Sequence, residues 1–109
     1  MKNEETFCIV LTTFESEEQA DKISEEIIKN KLAACIQYIP IKSRYFWDGK
    51  VCKDSEVLVL FKTRDDLYEN LKEKIVQLHP YDVPEVIKVD ISDGTEDYLG
   101  WIKEVTQHG

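Results

Sequence analysis

The pattern of hydrophobic and polar positions predicts four strands and three helices along this chain. Residues 7–11 and 57–61 are apolar at nearly every position, which is typical of strands that are covered on both faces. Residues 85–91 follow a proline-bounded loop and predict a further strand. Apolar residues three and four positions apart predict two main helices and a short one near the C-terminus.

Polar residues mark where the predicted helices begin and end. Ser16 precedes Gln19 by three positions, which is a capping-box pattern. Thr63 is the predicted cap of the second helix, which ends at His79 because a residue before proline avoids the helical conformation. Thr95 is the predicted cap of the last helix. The positions predicted to face inward are Ala20, Ile23, Ile27, Ile28, Leu67, Leu71, Ile75, Leu78, Tyr98, Trp101, Ile102 and Val105.

Residues 33–62 predict one long hairpin that contains the second and third strands. Asp48-Gly49 lies between runs of strand-forming residues, and a type I′ turn needs positive φ at both central positions. This turn pairs Trp47 with Lys50, and the register follows by counting back along both arms. Pro40 cannot donate to a ladder, so we expect an edge position or a bulge there.

The element order β-α-β-β-α-β, with a C-terminal helix, predicts an α+β fold of the ferredoxin-like type. Residues 1–109 form a single domain in this interpretation. Right-handed crossovers place the two main helices on one face of an antiparallel sheet and leave the other face bare. Because two strands are apolar on both faces, we expect another copy of the chain to cover the bare face.

Four residues of the hairpin are predicted to lie at that interface between copies. Tyr45 and Trp47 flank the turn and either pack across the hairpin or insert into a neighbouring subunit. We favour insertion, because so long a hairpin extends beyond the surface that two helices can cover. Val57 and Val59 are predicted to bury the second face of their strand at the same contact.

Composition excludes some partners and suggests a compartment. The sequence has 22 acidic and 14 basic residues and a net charge of −8, which opposes nucleic acid and anionic membranes as partners. Its three cysteines, Cys8, Cys35 and Cys52, are odd in number and far apart, so we expect reduced thiols and a cytoplasmic location. The start of the sequence lacks the pattern of a signal peptide, and its apolar runs are too short to span a membrane.

Candidate chemistry is concentrated in the segment HPYDVPE, residues 79–85. His79 is the one histidine in the predicted folded body, because His108 is next to the end of the sequence. With Glu85 and the thiol of Cys35 it could provide ligands for copper or zinc. The alternatives are a helix-capping His79 and a buried, inert Cys35.

An anion site is a second hypothesis, whereas catalysis has little support. Lys62, together with Tyr81, could bind an anion in a cleft, although a lysine at a sheet edge often extends to solvent. The sequence has no G-x-S-x-G motif and no phosphate-binding glycine loop, so we predict a protein that is not an enzyme.

Several segments together resemble the CutA divalent-cation tolerance proteins, from about residue 7 to residue 102. They are KLAAC at 31–35, YFWDGK at 45–50, LFKT at 60–63, HPYDVPE at 79–85 and DYLGW at 97–101. The resemblance implies a homotrimer of ferredoxin-like subunits, similar in architecture to PII signalling proteins, with hairpins that extend onto neighbours. It also implies a link to copper and other divalent metals, and no enzymatic reaction.

The resemblance assigns the family's proposed copper-ligating histidine to His79. Some members have a second histidine where this chain has Leu78, and a cysteine where it has Thr12. We therefore expect a cytoplasmic, homotrimeric copper or divalent-cation tolerance protein with weak metal binding near residues 79–85 and no obligatory cofactor. The alternatives are a PII-like module that binds a small anion or metabolite and signals to a protein partner, or a scaffold without a ligand.

Overall fold

A computed structural model describes residues 5–107 of the chain. Its strands are β1 (Phe7–Phe14), β2 (Cys35–Trp47), β3 (Lys50–Arg64) and β4 (Ile87–Ile91), and its helices are α1 (Glu17–Lys29), α2 (Tyr68–Leu78) and α3 (Glu96–Val105). A short 3-10 turn, Asp65–Leu67, leads into α2. His108 lies outside the described residues.

The strands form a four-stranded antiparallel sheet in the order β2-β3-β1-β4. This confirms the predicted α+β fold with three helices and the ferredoxin-like arrangement of strands. The central pair, β1 and β3, carries the apolar runs at residues 7–11 and 57–61.

One face of the sheet packs against α1 and α2 and forms the main core. Alternate residues of β1 and β3 point to this face, because side chains on a strand alternate between its two sides. The buried cluster consists of Cys8, Val10, Phe14, Ala20, Ile23, Ile27, Ala33, Val59, Phe61, Leu71 and Ile75.

The core corrects two of the predicted interface residues. Val59 is completely buried inside the subunit, and Val57 packs against the same core. The other side of β3 carries Leu58 and Leu60, which are only partly buried. A partner that covered the second face of this strand would therefore contact Leu58 and Leu60.

The hairpin has the predicted turn and register. Asp48 and Gly49 have φ angles of 53° and 75°, as a type I′ turn requires. Trp47 pairs with Lys50, and the same register continues to the far end of the arms. Pro40 lies on β2, an edge strand of the sheet, where its missing N–H interrupts no ladder and the register does not slip.

The ends of α1 follow from local sequence. The Ser16 hydroxyl accepts a hydrogen bond from the Gln19 amide, as the capping pattern predicts. At the other end Lys31 has a φ of 57°, and the amides of Lys31 and Leu32 donate to the carbonyls of Ile28 and Ile27. These bonds form a Schellman motif with a lysine where glycine is preferred.

Three predictions about the later elements and helix faces were wrong. Thr63 is buried within β3 and caps no helix, because pairing with β1 extends that strand to Arg64. Of the helix positions predicted to face inward, Ile28, Leu78, Tyr98, Trp101 and Val105 are exposed, and Ile102 is the buried residue of α3. The fourth strand begins at Ile87, two residues after the predicted start at Glu85, because pairing with β1 begins there.

Helix α3 covers part of the sheet face that was expected to be bare. Arg64 donates to the hydroxyl and the carbonyl of Thr106 at 3.0 and 3.1 Å, and Ile102 is fully buried. Lys62 Nζ lies 5.5 Å from the centre of the Tyr98 ring. The remainder of this face, around Leu60, stays partly open.

The distal part of the hairpin extends away from the core. Phe46 is 72% exposed, Trp47 57% and Val51 67%, and the described residues span 53 Å along their longest axis. The hairpin thus presents unusually apolar surface to solvent in the isolated subunit.

Within residues 5–107, none of the helices combines the length and apolar character needed to cross a membrane.

Candidate functional site

A cleft of about 750 Å³ lies between the hairpin and the loop that follows α2. The hairpin contributes one wall, the end of β1 contributes part of the floor, and the loop contributes the other wall. The residues that line it are Thr13, Glu15, Ser43, Arg44, Tyr45, Trp47, Asp54, Ser55, Glu56, Tyr81, Asp82, Val83 and Glu85.

The lining of this cleft is strongly acidic. Among its residues Glu15, Asp54, Glu56, Asp82 and Glu85 are acidic, and Arg44 is the single basic one. Such a surface attracts cations and repels anions, which opposes the hypothesis of an anion ligand in this cleft.

Glu56 is the carboxylate to which the loop is attached. The Tyr81 hydroxyl donates to its Oε2 atom at 3.1 Å. Burial, and then the negative charge of Glu56, raise the pKa of Tyr81, so this phenol remains a hydrogen-bond donor at neutral pH. The side chain of Glu85 is exposed at the cleft, yet its partial desolvation and the nearby Glu56 carboxylate raise its pKa.

His79 is buried beneath the loop, and its ring is fully engaged. Its Nε2 atom lies 2.8 Å from the Thr13 carbonyl oxygen, and its Nδ1 atom accepts a hydrogen bond from the Tyr81 amide at 3.1 Å. The ring stacks on Phe14, with centroids 4.4 Å apart. Burial lowers the pKa of His79, although the Thr13 carbonyl and the Glu56 charge oppose this effect.

Within one subunit, Cys35 is not brought near His79. Cys35 lies opposite Lys62 at the end of β2 remote from the hairpin turn, whereas His79 is bonded to Thr13, whose neighbour across the ladder is Leu58. The two levels of the sheet differ by four residues, or about 13 Å along a strand. The three predicted metal ligands therefore do not converge.

The predicted anion-binding pair is also separated. Lys62 contacts Tyr98 of α3, whereas Tyr81 contacts Glu56, six residues earlier on β3 and about 20 Å away along the strand. The two side chains do not meet in a common site of this subunit.

Tyr45 and Trp47, predicted as anchors, line the outer part of the cleft. The Tyr45 hydroxyl donates to Asp54 across the hairpin. This hydrogen bond is the main reason that the pKa of Tyr45 is raised to about 12. Both aromatic residues remain substantially exposed. As anchors they would therefore need contact partners outside this subunit.

The side chains of the cleft fit an oxygen-ligated cation better than a tetrahedral copper or zinc site. Residues 5–107 of a single subunit contain no group of three His, Cys, Asp or Glu side chains placed to hold a metal ion. Glu56 and Glu85 both line the cleft and supply hard oxygen ligands, while neither ring nitrogen of His79 has a free lone pair.

Glu56 is the functional candidate that the sequence pattern did not identify. In the sequence it is simply the charged residue that precedes the apolar run 57–61. The sequence did contain a signal for Glu56 and Glu85. Glu56 directly precedes the apolar run 57–61, and Glu85 ends the proline-rich segment 79–85. Only the fold places both of them in the lining of one cleft.

The fold and the cleft together define a class: a small βαββαβ protein with an extended hairpin and an acidic, oxygen-rich cleft beside it. The family model described as "CutA1 divalent ion tolerance protein" matches residues 8–105. The chain belongs to this CutA family.

Similar proteins come from archaea and plants. A divalent-cation tolerance protein CutA from Pyrococcus horikoshii is 46% identical over 99 residues, covering 91% of this chain and 97% of that protein. The crystal structure of CutA1 from the same organism has a TM-score of 0.89 at 44% identity and covers 93% of this chain and 99% of that one. A chloroplastic CutA from Arabidopsis thaliana is 44% identical, covering 92% of this chain and 56% of that protein.

Proposed function

We propose that this protein acts in divalent-cation tolerance as a non-enzymatic homotrimer that binds cations weakly through the carboxylates of its cleft. Glu56 and Glu85 are the ligands in this proposal, and His79 lies behind them. The free thiols Cys8, Cys35 and Cys52 suit a reducing compartment, which supports a cytoplasmic location.

The presence of the Glu56 and Glu85 carboxylates in the lining of one acidic cleft carries the proposal. Partial burial, and then the negative charge of Glu56, raise the pKa of Glu85, and the two carboxylates repel each other when both are ionised. A divalent cation between them would replace this repulsion with attraction. The other acids of the lining, Glu15, Asp54 and Asp82, add to the negative potential at the same place.

The composition of the site predicts weak binding. Two carboxylates leave most positions around a cation to water, and so the protein supplies few of the ligands that tight sites use. Copper is the cation implied by the resemblance to the family. It is also the first-row divalent metal that binds most tightly to a given set of nitrogen and oxygen ligands.

The exposed apolar surface supports the trimer. The hairpin tip exposes Phe46, Trp47 and Val51, and the open sheet face carries Leu58 and Leu60. Monomeric proteins rarely leave contiguous apolar surface of this kind in water. Neighbouring copies of the chain would cover both regions at once if each hairpin packed on the next subunit.

Calorimetric titration with copper(II) chloride tests the cation site. We expect weak binding by the wild-type protein, its loss in the Glu56→Gln/Glu85→Gln double variant, and its retention in Glu25→Gln, which removes an exposed acid of α1. Glutamine at position 56 keeps an acceptor for Tyr81, so the loop stays attached. Absence of binding by the wild type, or equal binding by the double variant, would contradict the proposal.

A further inference from the structure

We infer that His79 is a positioning residue of the cleft and not a cation ligand. Its neutral imidazole fastens the loop after α2 to the end of β1 and thereby holds the Tyr81 hydroxyl against Glu56. The inference rests on the proposed function in one respect: that function is what makes the cleft positioned by His79 a cation site. It differs from the role in copper binding that the family resemblance suggests for this histidine.

The hydrogen bonds determine which ring nitrogen carries the proton. The Tyr81 amide can only donate, so the Nδ1 atom of His79, 3.1 Å away, must accept with its lone pair. The Thr13 carbonyl can only accept, so the Nε2 atom, 2.8 Å away, must carry the hydrogen. The imidazole is therefore neutral, with its proton on Nε2.

This arrangement leaves no ring nitrogen available to a metal ion. Coordination requires a lone pair, and the one on Nδ1 is already used by the Tyr81 amide. Coordination through Nε2 would remove its hydrogen and leave the Thr13 carbonyl without its donor. The ring cannot turn freely to escape either bond, because it is buried and stacked on Phe14 at an interplanar angle of 12°.

The same contacts connect His79 to the carboxylate of the cleft. The imidazole holds the backbone of Tyr81, and the centroids of the two rings are 4.7 Å apart. The Tyr81 hydroxyl in turn donates to Oε2 of Glu56 at 3.1 Å. His79 thus acts on the position of Glu56 through Tyr81.

Nuclear magnetic resonance can test both parts of the inference on the full chain. Long-range ¹H–¹⁵N spectra report the protonation of each ring nitrogen, and a His108→Gln variant identifies the signals of His79, since the sequence has two histidines. We expect a protonated Nε2 and an unprotonated Nδ1, and both nitrogen shifts should stay unchanged during titration with zinc chloride. A coordination shift at either nitrogen of His79 would overturn the inference.

The positioning role is measured without metal. We expect the nuclear Overhauser contact between the Tyr81 ring and the Glu56 side chain in the wild type to persist in Glu85→Gln and to weaken at least twofold in His79→Ala. His79→Asn, which retains an acceptor near the position of Nδ1, should recover part of it. An undiminished contact in a folded His79→Ala variant would overturn the inference. Absence of cation binding would count against the proposed function alone, because this contact is measured without metal.

Discussion

The Tyr81 hydroxyl donates a hydrogen bond to Oε2 of Glu56 across 3.1 Å and so joins the loop after α2 to the middle of β3. Removing the hydroxyl in Tyr81→Phe should lower the free energy of unfolding by about 1 kcal/mol, because a partly buried carboxylate loses its donor. Chemical unfolding at one fixed protein concentration measures the change. Tyr98→Phe is the control, since its hydroxyl takes part in no side-chain hydrogen bond found among residues 5–107. An equal loss in both variants would contradict the role of the Glu56 contact.

The raised pKa of Glu85 predicts a dependence of stability on pH. Because its pKa in the folded protein lies above the ordinary value of 4.5, the folded state holds its proton more tightly than the unfolded state. The stability contributed by this group is complete below that value and is lost as pH rises through the folded-state pKa. Glu85→Gln should therefore raise the free energy of unfolding at pH 7 and have little effect near pH 3.

Thermal unfolding of the wild type and Glu85→Gln across this pH range, without metal, checks the sign. Glu25→Gln is a suitable control, because Glu25 is an exposed acid of α1 that lies outside the cleft. A Glu85→Gln variant less stable than the wild type at pH 7 would contradict a pKa of Glu85 raised by partial burial and by the charge of Glu56.

Trp47→Ala should weaken the proposed trimer before it affects the fold of the single chain. Trp47 is 57% exposed at the hairpin turn, where it contributes little to the core of its own subunit. A buried tryptophan at a protein interface commonly contributes about 2 kcal/mol or more, or roughly a thirtyfold change in dissociation constant. Sedimentation velocity over a dilution series measures this change, with circular dichroism as the check on folding.

The matched control for Trp47 is Ile28→Ala. Ile28 is 44% exposed on α1, so its truncation removes exposed apolar surface that does not belong to the hairpin tip. Equal weakening of assembly by both substitutions, or none by Trp47→Ala, would exclude the hairpin tip as an anchor.

Lys31→Gly should stabilise the protein by about 0.5–1 kcal/mol. Lys31 has a φ of 57° at the end of α1, a left-handed conformation that strains residues with a Cβ but not glycine. The greater flexibility of glycine in the unfolded chain offsets part of the gain. Chemical unfolding measures the change, and Lys29→Gly, in the last turn of α1, should be destabilising by a similar amount.

The sequence pattern was sufficient for elements whose causes are local. Asp48-Gly49 determines the turn, and the turn determines the register of the long hairpin for its whole length, because each further pair follows from the one before. Ser16 and Thr95 cap their helices as predicted, since a cap depends on residues only three positions away. The family resemblance was likewise carried by short contiguous motifs, and the family match confirms it.

Pairing and packing between distant segments decided the remainder. Thr63 has the chemistry of a helix cap, but pairing with β1 keeps it within a strand. Val59 and Leu58 are both apolar, and only the position of the helices shows which of them is buried within the subunit.

The candidate site shows the same division between sequence and tertiary structure. The sequence by itself determined that residues 79–85 were rich in groups able to bind a cation, and it drew attention to His79. Only the tertiary structure placed Thr13 and the Tyr81 amide against the two ring nitrogens and brought Glu56 and Glu85 into the lining of one cleft. The physical reason is that a side chain's chemistry depends on which lone pairs and protons remain free, and distant parts of the chain decide that when they pack together.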